Sequence, residues 1–112
     1  MEVHPGVFVS NVSTDEYRPD DEVGGDAEEH VLFDNGEMRA GLSRFAEGAD
    51  PDPTVWKLPA TQVLLVLEGE ARIEMSDGPT LELKTGDMAA LPKGVTTTWH
   101  LTLPFKEMWV LS

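Results

Sequence analysis

From Ala71 to Met75, and again from Leu81 to Leu83 and from Trp99 to Leu103, apolar residues occupy every second position. Ala71, Ile73 and Met75 alternate with Arg72, Glu74 and Ser76, and Trp99, Leu101 and Leu103 alternate with Thr98, His100 and Thr102. Successive strand side chains point to opposite faces, so this period of two predicts strands with one buried face. From Val63 onward the pattern divides into VLLVLEG, ending at the Gly69 turn, then EARIEM, TLELK, MAALP, TTTWHLTL and FKEMWVLS, with SDGP, TGD and KG between. Many short strands punctuated by Gly, Pro and Asp predict a sandwich or closed barrel. No stretch longer than two turns carries a 3.6-residue period, so helix is expected to be minimal.

Upstream, HVLFDNGEMRAGLSRF predicts a hairpin in which Asn35 and Gly36 take the two positive-φ positions of a type I′ turn. A second hairpin is expected near Asp77-Gly78. The cluster EGADPDP must be a connection, because Pro51 and Pro53 cannot sit in a central strand. Residues 13–29, STDEYRPDDEVGGDAEE, show no sustained period and read as a loop. The expected organisation is an N-terminal strand and acidic loop segment over residues 1–27 and a barrel domain over residues 28–112. The fold class is all-β, a single antiparallel jelly-roll β-barrel.

The length of 112 residues fits one domain. The absence of cysteine removes disulfides, thiolate metal sites and thiol nucleophiles. Charge changes the picture more: 21 acidic against 8 basic residues give −13. Residues 1–52 hold 14 acids and 3 bases, a net of −11, which leaves −2 for residues 53–112. Such a chain is repelled by phosphate backbones and anionic lipid, so neither nucleic acid nor membrane is an expected partner. The longest nearly apolar run, Val63 to Leu67, is too short to span a bilayer. The start MEVHPGVFVS lacks the basic and apolar regions of a signal peptide, so a cytoplasmic location is expected.

Two sets of residues carry a more specific pattern. Gly69 follows Gln62 with six residues between them, and Trp56 and Leu58 lie upstream; Gly86, Pro92, Gly94 and Thr97 form the second set. With this spacing the chain resembles the two signature motifs of the cupins, small jelly-roll barrels. The ending PKGVTTTW resembles one branch of small cupins, related to ureidoglycine aminohydrolase and to ethanolamine-utilisation cupins. The resemblance covers roughly residues 28–112 and implies that positions 56, 58, 62, 97 and 99 look inward. It also implies that Trp56, Leu58, Gln62 and Thr97 stand where the family holds its metal with histidines and a glutamate. A tryptophan, a leucine, an amide and a hydroxyl offer no convergent set of strong donors, so no metal and no cofactor is expected.

The remaining histidines do not supply one. His4 lies near the start of the chain, His100 has the outward parity of Thr98 and Thr102, and His30, two residues after Glu28, fits a surface or strand-edge role. No inward carboxylate, histidine or lysine is expected in the second half of the chain. Arg44, in phase with Met38, Ala40 and Leu42, is the nearest candidate for an inward charge, but the favoured reading is a strand-end arginine that snorkels to solvent. Tyr17 sits in the acidic loop. What remains is an apolar cup with a polar spot: Trp56, Leu58, Met75 and Trp99 around Gln62 and Thr97, the composition of a small-ligand site. The same side chains could instead fill the barrel. The expected function is a metal-free cupin binding a small apolar or aromatic molecule. The alternatives are a metal-independent isomerase, epimerase or cyclase using the same cavity, or an interaction barrel with a filled core. The resemblance further implies a homodimer paired through sheet edges, with VHPGVFVSNV as a strand that covers an edge or closes the barrel's own.

Overall fold

The structure, a computed structural model, describes residues 1–23, 26–49 and 54–112. Gly24, Gly25, Pro51 and Pro53, expected as breakers, lie outside them. Among the described residues all regular elements are strands: β1 (Glu2–His4), β2 (Val7–Phe8), β3 (Arg18–Pro19), β4 (Glu28–Asp34), β5 (Arg39–Phe45), β6 (Thr54–Lys57), β7 (Gln62–Met75), β8 (Thr80–Lys84), β9 (Met88–Leu91) and β10 (Thr96–Leu111). Among the described residues no helix is long and apolar enough to cross a membrane.

Two long strands organise the molecule. β7 and β10 pair antiparallel from Gln62↔Leu111 to Met75↔Thr97, and each is shared between two half-sheets. The first half of β7 also pairs β9, and its second half pairs β8. Likewise the start of β10 pairs β6 and its end pairs β5. One half-sheet therefore runs β3-β4-β5-β10-β7-β9 and the other β6-β10-β7-β8, a jelly roll whose ladder is not closed into a continuous barrel.

The bend between the halves lies at Gly69, which does not end a strand as LEG suggests but sits inside the 14-residue β7. Its φ is +78°, and a Cβ there would collide with the carbonyl oxygens of Thr102 and Pro104. Opposite it, the β10 register shifts between Thr102 and Lys106. Only glycine meets both conditions at once.

The predicted alternation holds in β7, where Leu64, Val66, Ala71 and Ile73 are buried while Val63, Arg72 and Glu74 face out. With Leu83, Leu91, Trp99, Phe105, Trp109 and Leu111 they form one core between the half-sheets. Each fully buried aliphatic side chain contributes about 1.5–3 kcal/mol of transfer free energy.

The β4–β5 hairpin turns where expected but not as a type I′ turn. Its loop is Asn35–Met38, between the register pair Asp34↔Arg39, and Gly36 alone takes positive φ, +88°. Asn35 acts through its side chain: Oδ1 accepts the amides of Glu37 and Met38 at 2.9 and 2.8 Å. The Asp77-Gly78 turn joins β7 to β8, with Asp77 at φ 59°.

The segment read as an acidic loop is partly ordered into the sheet. β3 pairs Arg18 and Pro19 with Glu29 and Glu28, and Asp20 fastens the turn that follows, its Oδ1 accepting the amides of Glu22 and Val23. The strand expected at the N-terminus does not close the barrel edge, because β1 pairs with β2. This hairpin and residues 10–17 lie over the outer face of β4 and β5. There Phe8 meets Phe33 edge-on at 5.3 Å, and the Arg44 guanidinium stacks 3.7 Å from the Tyr17 ring.

Candidate functional site

Between the half-sheets lies a cavity of ≈ 60 Å³, walled by Trp56, Trp99, Phe105 and Trp109 and by Leu101 and Leu111. Its polar floor comes from Gln62 and Glu107, and its mouth from Asp20, Glu22, Glu29 and Arg39. The wall residues from β10 are all odd-numbered, as the strand's period of two sets, and all but the half-buried Leu101 are buried.

Two corners differ. In the first, Trp99 Nε1 donates to Thr97 Oγ1 at 2.8 Å, and Thr97 Oγ1 donates in turn to the Trp56 carbonyl at 2.7 Å. Thr97 is 0 % exposed, and the chain of bonds satisfies it. Leu58, 1 % exposed, locks the same corner through backbone bonds with Val95 and Gly94. In the second, Gln62 Nε2 donates to Glu107 Oε1 over a long 3.5 Å. Gln62 Oε1 and Glu107 Oε2 are buried with no partner. Glu107 pairs in register with Val66 on one side and Ser43 on the other. Burial pushes its pKa up to about 8, opposed only by the Gln62 bond.

Of the six residues expected to bind a ligand, Trp56, Gln62 and Trp99 line the cavity. Leu58 and Thr97 are buried in the packed corner beside it. Met75 is half-buried against the core next to the Gly78 turn and does not reach the cavity wall.

One expectation about charge is corrected. Glu107 is an inward carboxylate in the second half of the chain, 6 % exposed. The signal that finds it is the alternation Phe105, Glu107, Trp109, Leu111 in FKEMWVLS, the same rule that placed Trp99. The inward cation is Arg39, with Ser43 and Phe45 of its phase also on the cavity. Arg44 points to the outer face, where it bonds Glu28 Oε1 at 3.1 Å and covers Tyr17. β5 is covered on both faces, so the apolar residues Ala40 and Leu42 did not mark the inner one.

At the mouth, Arg39 divides its charge among Asp34, Glu22 and Glu29, at 3.1, 3.5 and 3.7 Å, and lies 5.6 Å from the Trp109 ring. Burial raises the Glu29 pKa, the negative charge of Asp20 adds to this, and Arg39 and Arg18 pull it back. Trp109 Nε1 donates to Ser43 Oγ at 2.7 Å.

Among the described residues no group of three or more His, Asp or Glu is placed to hold a metal. His30 lies between Ser10 Oγ and the Glu16 carbonyl, both at 2.8 Å, and His100 meets Glu74 at 3.0 Å on the outer face. The donor chemistry of the four motif positions is likewise unfit for a first-row metal: an indole, an isobutyl group, a neutral amide and a hydroxyl already bonded twice.

The sequence model of the EutQ-like cupin domain matches residues 52–107. No curated protein matches the chain. Solved structures of the same fold include an RmlC-like cupin from Shewanella frigidimarina, 27% identical with a TM-score of 0.71, covering 94% of this chain and 88% of that one. A putative ethanolamine utilization protein Q from Salmonella typhimurium is 23% identical with a TM-score of 0.70, over 85% of this chain and 76% of that one. A putative mannose-6-phosphate isomerase from Ralstonia eutropha is 16% identical with a TM-score of 0.70, over 92% and 95%. At the two lower identities the likeness speaks for the fold alone.

Proposed function

We propose that this chain, which belongs to the EutQ-like cupin domain family, binds a small organic molecule between its half-sheets without a metal. The observation that carries the reading is the second corner. Gln62 Oε1 and Glu107 Oε2 lie buried in an apolar cavity with no protein partner, and an unsatisfied buried polar group costs about 1–3 kcal/mol. A ligand that bonds both relieves that cost while its apolar part covers the indole walls.

A second reading, a metal-independent proton-transfer enzyme, is favoured by Glu107 itself. A buried carboxyl with a pKa of about 8 is matched to accept and return a proton near neutral pH. Pairing of two copies in the cytoplasm belongs to the same proposal. The exposed apolar side chains Val63, Met88 and Met108 support the pairing, and light scattering at the mass of a single 12.3 kDa chain would refute it.

Ligand-observed NMR with a library of small organic compounds tests the binding reading. The expected result is saturable binders that shift the Trp56 and Trp99 indole signals and lose affinity in the Gln62→Leu/Glu107→Leu variant. A library with no saturable binder, or binders indifferent to the double variant, would contradict it. Turnover of a binder by the wild type and not by Glu107→Gln would establish the second reading.

A further inference from the structure

We infer that the ligand is a cationic amine or amidine, its protonated nitrogen seated on Gln62 Oε1 and Glu107 Oε2 and its apolar body between Trp56, Trp99 and Trp109. This deepens the binding reading proposed above and rests on it.

The first argument is the polarity of what is free. Both unpartnered atoms on the cavity floor are oxygens, and the Gln62 amide nitrogen is already turned to Glu107. The indole donors are occupied elsewhere: Trp99 Nε1 by Thr97, Trp109 Nε1 by Ser43. Arg39, the one cation among the described cavity-lining residues, is shared by Asp34, Glu22 and Glu29. With Glu107 ionised, the floor offers an anion no free donor, and Arg39 Nε, buried at the mouth without a hydrogen bond, lies 3.1 Å from the Asp34 carboxylate.

The second argument is charge. The groups facing Glu107 across the cavity are Asp20 and Glu22 after β3, Glu29 on β4 and Arg39 on β5, with Ser43 beside it on β5 and Gln62 on β7. On β10 itself Lys106 is turned away, toward the Val12 carbonyl. Four carboxyl groups therefore face one guanidinium. Among the described residues no ion pair reaches Glu107, whose side chain meets only Gln62; burial raises its pKa and the Gln62 bond opposes this. A ligand cation supplies the missing counter-charge.

The third argument is the wall. Three indoles surround the floor, and an aromatic face attracts a desolvated ammonium or amidinium more than a neutral or anionic group. The wider field agrees: the net charge is −13, and the mouth is built from the acidic N-terminal half, so cations are concentrated at the entrance. The cavity of ≈ 60 Å³ has room for a few waters. It would therefore hold the charged head and the first carbons of a ligand whose remainder extends through the mouth.

The test is an NMR titration of the full chain with three isosteric probes, n-butylammonium, n-butanol and butyrate, at one pH and ionic strength. Indole and Gln62 side-chain signals are the readout. The expected order is ammonium tightest, by about tenfold or more over butanol, with butyrate weakest. Glu107→Gln, which preserves shape, should cut the ammonium affinity by about tenfold and leave butanol within about twofold. Butanol or butyrate binding as tightly as ammonium would overturn the cationic class and leave the binding reading intact. Ammonium affinity unchanged in Glu107→Gln would overturn the assigned seat. If no probe moves the cavity signals, both this inference and the binding reading fall.

Discussion

The Thr97 corner lies beside the cavity and the Gln62–Glu107 corner on its floor, and both are close to fully buried. At the first, the indole of Trp99, the hydroxyl of Thr97 and the carbonyl of Trp56 complete one another in two short bonds. At the second, a single 3.5 Å bond joins two side chains and leaves an oxygen on each without a partner. The difference separates packing from function within one barrel. A polar group that the chain satisfies internally has become core, whereas one left open in an apolar enclosure keeps its capacity for something from outside.

Substitutions should sort by corner. The largest effect is expected for Trp99→Ala, which empties a core position 5 % exposed and frees Thr97 Oγ1. Urea unfolding should show a loss of about 3–5 kcal/mol.

Next comes Glu107→Gln, with a sign that depends on pH. Because the folded pKa is raised from 4.5 to about 8, the folded state holds a proton that the unfolded state has released. The associated stability is fully present below pH 4.5 and is lost as pH rises to about 8. Removing the carboxyl should therefore change melting little at pH 5 and raise it at pH 9, by on the order of 2–3 kcal/mol. Thr97→Val keeps the shape but strands the Trp99 N–H and should cost about 1–3 kcal/mol at every pH. Gln62→Leu removes an oxygen that has no partner together with one long 3.5 Å bond to Glu107, and should change stability by less than about 1 kcal/mol. If Thr97→Val proved as mild as Gln62→Leu, the contrast between the corners would collapse.

Much of this contrast was legible in the sequence and some was not. Period two in EARIEM and TTTWHLTL placed Ile73 and Trp99 inside, and the resemblance to the cupin motifs implied that Trp56, Leu58, Gln62 and Thr97 join them. Glu107 was equally readable, since it alternates with Phe105, Trp109 and Leu111, but a glutamate in a terminal strand does not advertise burial. β5 was ambiguous for a physical reason: the outer face carries Ala40 and Leu42 under the N-terminal segment, so both faces are covered and apolarity cannot choose between them. The mouth was out of reach. Asp20 and Glu22 arrive there through a side-chain-capped turn and the short β3–β4 pairing, non-local geometry that leaves no period in the sequence. Met75 shows the converse, a residue with the right parity but too near the turn to reach the cavity.

The most direct test of the open corner is a carbon-13 NMR titration of the Glu107 side-chain carboxyl in the ligand-free protein. The account predicts a midpoint near 8, shifted downward when a cationic ligand occupies the cavity. A midpoint in the ordinary carboxylate range, near 4.5, would mean that Glu107 is ionised and already satisfied at neutral pH, and would contradict the claim that this corner is left open for a ligand.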